Sequence, residues 1–157
     1  MVTTWKEVSF NCPILLGCRW LTKVPDDIAD RFAWNQTIGP LTQRPGHAGA
    51  WGYYNTDGLG LDEYFHWCID LDMEPVLGVF TGHSLDGEVV SEEDFQPWVD
   101  DVLDELEYVM GDTSTHYGAL RAQYGNPEPY ALHYVELGNE EELSGGQPYV
   151  PTIHKPV

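Results

Sequence analysis

The stretch Tyr134-Val135-Glu136-Leu137-Gly138-Asn139-Glu140-Glu141-Glu142 decides how this chain is read. Residues 131–137 form a short, mostly apolar run, of the kind that suits a strand buried in a parallel sheet. The run passes straight into a glycine, an amide and three carboxylates. An earlier run, Pro75-Val76-Leu77-Gly78-Val79-Phe80, has the same strand character. Between the two lies the strongest helical pattern of the chain. Phe95, Trp98, Val99, Val102, Leu103, Leu106, Val109 and Met110 recur at i, i+3, i+4 and i+7. Ser91 or Asp94 can cap this helix, Pro97 is tolerable in a first turn, and Gly111 can end it. A shorter helix is predicted over 117–123, followed by a turn at Gly125-Asn126-Pro127. Upstream, Leu61, Tyr64, Phe65, Cys68 and Ile69 predict an amphipathic helix over 60–71. The order helix, strand, helix, strand implies parallel strands joined by right-handed crossovers, and so an α/β fold.

In such folds ligands bind where strands end at their carboxyl termini. Glu140 lies just past such an end. A carboxyl group there can act as a general acid or base if its surroundings raise its pKa. Asn139 beside it can hydrogen-bond a sugar hydroxyl. The competing reading of the pair is a polar loop that caps the next helix. Glu136 falls within the strand, so it must be paired, with Arg121 as a candidate partner, or face a barrel axis. Asp100, Asp101, Asp104, Glu105 and Glu107 are expected to form a solvated face of the long helix. Residues 25–58 are dense in turn signals and are expected to be a long loop region. Within it, Trp51 stands among Gly49, Ala50 and Gly52, either as a platform on which a sugar stacks or as a pin holding the loop to the core.

The 157 residues suffice for one domain. Lys and Arg number 7 against 26 Asp and Glu, a formal charge of −19. Nucleic acid and anionic membranes are thereby disfavoured as partners, because there is no basic patch to meet phosphates. No apolar run approaches the ~20 residues that cross a bilayer. The start of the chain does not read as a secretory signal. The three cysteines Cys12, Cys18 and Cys68 make no disulfide framework, and Cys68 on the apolar helical face is expected to be a buried thiol. No metal site is expected. Asn55 and Asp57 imitate the start of a calcium loop, but Leu59 and His66 occupy two of its ligand positions, and the six histidines lack ligand spacing. Ser84 and Ser144 lack the context of a nucleophile, and His83 is expected at a loop surface. Asn35-Gln36-Thr37 is a glycosylation sequon, relevant only to a secreted chain.

Longer blocks are recognisable. Trp34-Asn35-Gln36-Thr37-Ile38-Gly39-Pro40-Leu41, Arg44-Pro45-Gly46 and Trp51-Gly52-Tyr53-Tyr54-Asn55-Thr56-Asp57-Gly58-Leu59-Gly60-Leu61-Asp62-Glu63-Tyr64 resemble the fungal-type α-L-arabinofuranosidases of glycoside hydrolase family 51. Asp72-Met73-Glu74-Pro75-Val76-Leu77-Gly78-Val79, Tyr108-Val109-Met110-Gly111-Asp112 and Tyr134-Val135-Glu136-Leu137-Gly138-Asn139-Glu140 continue the resemblance. It implies a partial (β/α)₈ TIM barrel, roughly the second helix through the fourth strand, over residues 26–146. Residues 1–25 and the Pro-rich tail 147–157 do not match the family's pattern. The resemblance further implies retaining hydrolysis of terminal α-L-arabinofuranosyl groups from arabinan and arabinoxylan, an extracellular setting, and no cofactor. Glu140 is then the general acid/base, Asn139 contacts the 2-hydroxyl of the arabinose, and Trp51 lines the sugar subsite.

A retaining glycosidase needs a second carboxylate as nucleophile, ~5–5.5 Å from the first. The family takes it from its seventh barrel strand. This sequence ends at Val157, soon after the fourth, so the isolated chain is expected to be inactive. Two alternatives stand beside this reading. One is an inactive fragment or non-catalytic sugar-binding module. The other is a different retaining barrel glycosidase with an Asn-Glu pair, such as a xylanase, against which the Trp51–Asp57 block argues.

Overall fold

The computed structural model describes residues 28–49, 53–84 and 87–138. Among them are four strands and three α-helices: β1 (His47–Gly49), β2 (Tyr53–Asn55), α1 (Leu61–Asp70), β3 (Val76–Val79), α2 (Gln96–Met110), α3 (His116–Gln123) and β4 (Tyr134–Leu137). β3 and β4 pair in parallel with Val76 opposite Tyr134 and Val79 opposite Leu137. α2 and α3 make the crossover between them. The expected alternation of helix and strand is therefore present, with both strands shorter than their apolar runs: β3 covers Val76–Val79 of 75–80, and β4 begins at Tyr134, with residues 131–133 leading into it.

Helix α1 starts where its pattern predicts. Glu63 Oε2 accepts the Gly60 N–H at 2.8 Å, half of a capping box. The Leu61 N–H is taken by Thr37 Oγ1 at 3.2 Å, a cap borrowed from 24 residues upstream. This close approach excludes a side chain at Gly60, since a Cβ there would collide with the Thr37 carbonyl oxygen. The helix buries Leu61, Phe65 and the thiol of Cys68, as its spacing requires. Burial pushes that thiol up to about 11, and the Glu74 carboxylate adds to the shift. Asp62 is buried as well, and its two oxygens accept the hydroxyls of Tyr108 and Tyr130, each at 2.8 Å. The network ties α1 to α2 and to the segment before β4, and satisfies a carboxylate that burial would otherwise penalise.

Helix α2 ends at Gly111, but the glycine is extended (φ −67°, ψ 146°) rather than left-handed. Ser91 caps the short 3₁₀ turn Glu92–Asp94 ahead of the helix, accepting the Asp94 N–H at 3.2 Å. Only part of the apolar stripe is covered. Tyr108 and Val109 are buried, whereas Leu103 and Met110 are exposed. Leu103, with Val99, Val102 and Leu106 of the same helix, with Val79 and Phe80 and with Val135 and Leu137 of β4, lines an apolar groove of about 300 Å³. β4 is accordingly not buried on both faces: Val135 is 40% and Leu137 51% exposed.

Two charged groups depart from expectation. On the acidic side of α2 only Asp100 is exposed as expected, and the other four carboxylates are partly or fully covered. Asp101 accepts Arg31 Nη2 at 3.0 Å and Trp34 Nε1 at 3.1 Å; Asp104 accepts the Tyr117 hydroxyl; Glu107 accepts the Tyr117 N–H. Glu105 is only 3% exposed. Arg121 does not pair with Glu136. It is fully buried, and its guanidinium donates to the carbonyls of Tyr108, Val109, Gly111, Asn126 and Pro127. Carbonyl dipoles from the α2 end and the 126–127 turn stabilise this cation in place of a carboxylate. The long loop region also holds more order than its turn signals predict: three 3₁₀ turns and the antiparallel pair β1–β2, with His47 opposite Asn55.

Candidate active site

Parallel pairing brings the carboxyl ends of β3 and β4 to one edge. The Gly138 N–H donates to the Val79 carbonyl at 3.2 Å, so the ladder runs one residue past Leu137. Gly138 then takes φ +62°, a left-handed turn that favours glycine, and redirects the chain. Asn139 and Glu140, the expected binding and acid/base residues, follow directly and lie outside the described residues, as does Trp51.

Beside this edge is the loop after β3. Gly82 has φ +87°, and a Cβ on it would come 2.6 Å from the Phe95 ring. The loop is closed by Val90 N–H to the Gly82 carbonyl at 2.8 Å and by Glu88 N–H to Ser84 Oγ at 3.0 Å. Ser84 is fully buried in that role, in accord with its lack of nucleophile context. His83 is half-buried and bridges to Val89. On β4, Glu136 stands opposite Gly78 in the register. It shares a sheet face with Gly78, the face opposite to Leu77 and Val79. Its Oε2 is buried and has no hydrogen-bond partner among the described residues. A glycine across the ladder leaves space for this carboxylate, a feature the sequence shows only once the register is known.

The β1–β2 pair flanks residues 50–52, the expected position of Trp51, which lie outside the described residues. Its base is tied to α1 by Arg44. The guanidinium grips both Glu63 oxygens, at 2.8 and 2.9 Å, and also donates to the carbonyls of Asp57 and Gly39. Burial opposes ionisation of Glu63, but the Arg44 hydrogen bonds and the Gly60 N–H outweigh it and hold the carboxyl below its ordinary value. Asp57, buried and with φ +55°, faces His47 of β1, Nδ1 to Oδ1 2.9 Å. The His47 imidazole and the Gly46 N–H are the polar groups that face this carboxylate. Burial raises the Asp57 carboxyl, and His47 offsets only part of that. No group of three or more metal-ligating side chains occurs among the described residues.

The sequence and the fold match a known family. The family model described as alpha-L-arabinofuranosidase 1 domain matches residues 23–155. The chain belongs to the alpha-L-arabinofuranosidase 1 domain family. Among similar curated proteins, the probable alpha-L-arabinofuranosidase A of Aspergillus terreus is 54% identical over 124 residues, which are 77% of this chain and 20% of the relative. Alpha-L-arabinofuranosidase A of Aspergillus niger is 55% identical over 120 residues, again 20% or less of its length at 19%. Among solved structures, the arabinose-bound MgGH51 α-L-arabinofuranosidase superposes with a TM-score of 0.77 at 41% identity, covering 81% of this chain and 20% of that one. An α-L-arabinofuranosidase from Thermotoga maritima, in an arabinose complex, gives 0.58 at 27% identity, covering 81% and 25%. The resemblance to fungal-type family 51 arabinofuranosidases thus holds, and the chain spans about a fifth of the length of the curated relatives it matches.

Proposed function

We propose that this chain is the part of a retaining α-L-arabinofuranosidase that holds the general acid/base, within a partial (β/α)₈ barrel. The observation that carries the reading is the parallel β3–β4 pair, whose common carboxyl edge passes through left-handed Gly138 directly into Asn139-Glu140. In this reading Glu140 protonates the departing glycosidic oxygen. It then deprotonates the water that releases the sugar from a second carboxylate. Asn139 binds the 2-hydroxyl of the arabinofuranosyl unit, and Trp51, carried between β1 and β2, lines its subsite. The substrate is a terminal α-L-arabinofuranosyl group of arabinan or arabinoxylan, met outside the cell. A neutral glycan needs none of the basic groups that phosphates require, in keeping with the formal charge of −19.

The nucleophile belongs to a later barrel strand in this scheme, so the isolated chain binds sugar without turning it over. The test is an aryl α-L-arabinofuranoside assay on the purified chain, paired with L-arabinose titration. No release of the aryl alcohol, with binding weakened by Trp51→Ala, is the expected outcome. Turnover abolished by Glu140→Gln would show that the single-carboxylate reading is wrong.

A further inference from the structure

A second concavity of about 480 Å³ lies between α1, the Gly39–Leu41 segment and the end of α3. No residue of β3 or β4 lines it. We propose that this groove is a second carbohydrate-binding site, which takes one neutral sugar unit of a polysaccharide chain. It extends the proposed function by giving the polymer an anchor away from the reacting bond, and it rests on that reading for the choice of polymer.

The ligand class follows from the groups present. Tyr124 follows α3, is 40% exposed, and its N–H is tied to the Leu120 and Arg121 carbonyls. Its ring packs against Gly39, where a Cβ would come 2.8 Å from Cζ. Gly39 has φ +72°, so the backbone beneath the ring is itself a glycine turn. Tyr124 thus presents a partly exposed ring whose position is set by its packing on Gly39. Beside it, Asn126 Oδ1 contacts His66 Nε2 at 2.9 Å, which orients the amide and leaves its NH₂ as a donor. The Gln123 amide also lines the groove, supplying both a donor and an acceptor. An apolar platform flanked by a few oriented amides is the composition that recognises a polyol ring.

Charge disfavours anionic ligands. Arg44 is the cation in this groove, and its Nε, Nη1 and Nη2 are all engaged, by Gly39, Asp57 and Glu63. Its charge is cancelled by Glu63, and Asp62 is engaged by two tyrosine hydroxyls. Among the described residues that line the groove, no free guanidinium or ammonium meets an anion, and a chain of net charge −19 repels it at longer range.

The experiment is affinity electrophoresis of the intact chain in gels containing soluble arabinoxylan, with the chain compared with Tyr124→Ala, Gln123→Ala, Trp51→Ala and Glu140→Gln. Gln123 is an exposed helix position where alanine is a good helix former, so that variant keeps the fold. The expected result is retardation of the parent chain, weakened about tenfold in apparent affinity by Tyr124→Ala and several-fold by Gln123→Ala, and retained in Glu140→Gln. Two results would overturn the groove. In one, Tyr124→Ala and Gln123→Ala bind as the parent does while Trp51→Ala does not, which leaves the proposed active site standing alone. In the other, the parent chain is not retarded at all, which removes the groove and leaves the active-site reading to its own kinetic test.

Discussion

Glu105 is the group whose chemistry is most exposed to pH. It sits on the inner side of α2, where burial pushes its carboxyl from 4.5 up to about 8; the Asp101 carboxylate adds to the rise and Arg31 offsets part of it. Its Oε1 has no hydrogen-bond partner among the described residues. Between pH 4.5 and about 8 the folded chain therefore holds a proton that the unfolded chain has released. Stability is fully present below the unfolded value and is lost as pH rises toward the folded one, at about 1.4 kcal/mol per pH unit. Over the span of about 3.5 pH units the loss reaches about 5 kcal/mol. That is a third or more of a typical domain's stability of roughly 5–15 kcal/mol. Glu105→Gln replaces the ionisable group with a neutral one of the same shape. Urea unfolding followed by far-ultraviolet circular dichroism from pH 5 to pH 8.5 reads the effect as the difference between parent and variant. Titrations common to both chains, including that of Asp57, cancel. The variant should be equal to or slightly below the parent at pH 5 and several kcal/mol more stable at pH 8. A difference that stays flat with pH would refute the claim that a buried carboxyl must ionise in place.

Three further outcomes are expected. Gly60→Ala should destabilise the chain by more than about 3 kcal/mol, because the added Cβ meets the Thr37 carbonyl oxygen at the start of α1; a thermal midpoint near the parent's would contradict the packing there. Arg44→Lys should cost about 1–3 kcal/mol, since a lysine cannot grip both Glu63 oxygens and also reach Asp57 and Gly39, and the same denaturation series measures it. Cys68, buried and with its thiol pushed up to about 11, should resist iodoacetamide at pH 8 in the folded chain and react in urea. Peptide mass mapping distinguishes it from Cys12 and Cys18, and rapid labelling of Cys68 in the native chain would contradict its burial.

The helices and the parallel strands were legible because their apolar residues recur at fixed spacing over enough chain to define a face. Leu61, Phe65 and Cys68 of α1 land in the core as that spacing requires. The pair β1–β2 was not legible, since three-residue strands among glycines carry no period to detect. The acidic face of α2 misled for a different reason. Periodicity identifies which residues share a side of a helix, but not that Arg31 and Trp34 approach Asp101 from about 70 residues away and enclose Glu105. Arg121 misled likewise: a buried cation was expected to seek a carboxylate, and backbone carbonyls at the α2 end serve instead. Of the candidate site, the strand end followed from the sequence pattern, whereas the left-handed turn at Gly138 shows only in the backbone. The roles of Asn139, Glu140 and Trp51 rested on family resemblance, because single residues beyond a strand carry no periodic signal.

The central claim is that Glu140 is the acid/base of a family 51 site. The direct measurement is to graft residues 23–155 of this chain into the Aspergillus terreus relative in place of its matching stretch, and to compare the graft with its Glu140→Gln variant. The account predicts that the graft hydrolyses α-L-arabinofuranosides and that the variant loses about 10²–10⁴-fold in kcat on poor leaving groups, with a smaller loss on activated aryl substrates. A folded graft whose activity is unchanged by Glu140→Gln would contradict it.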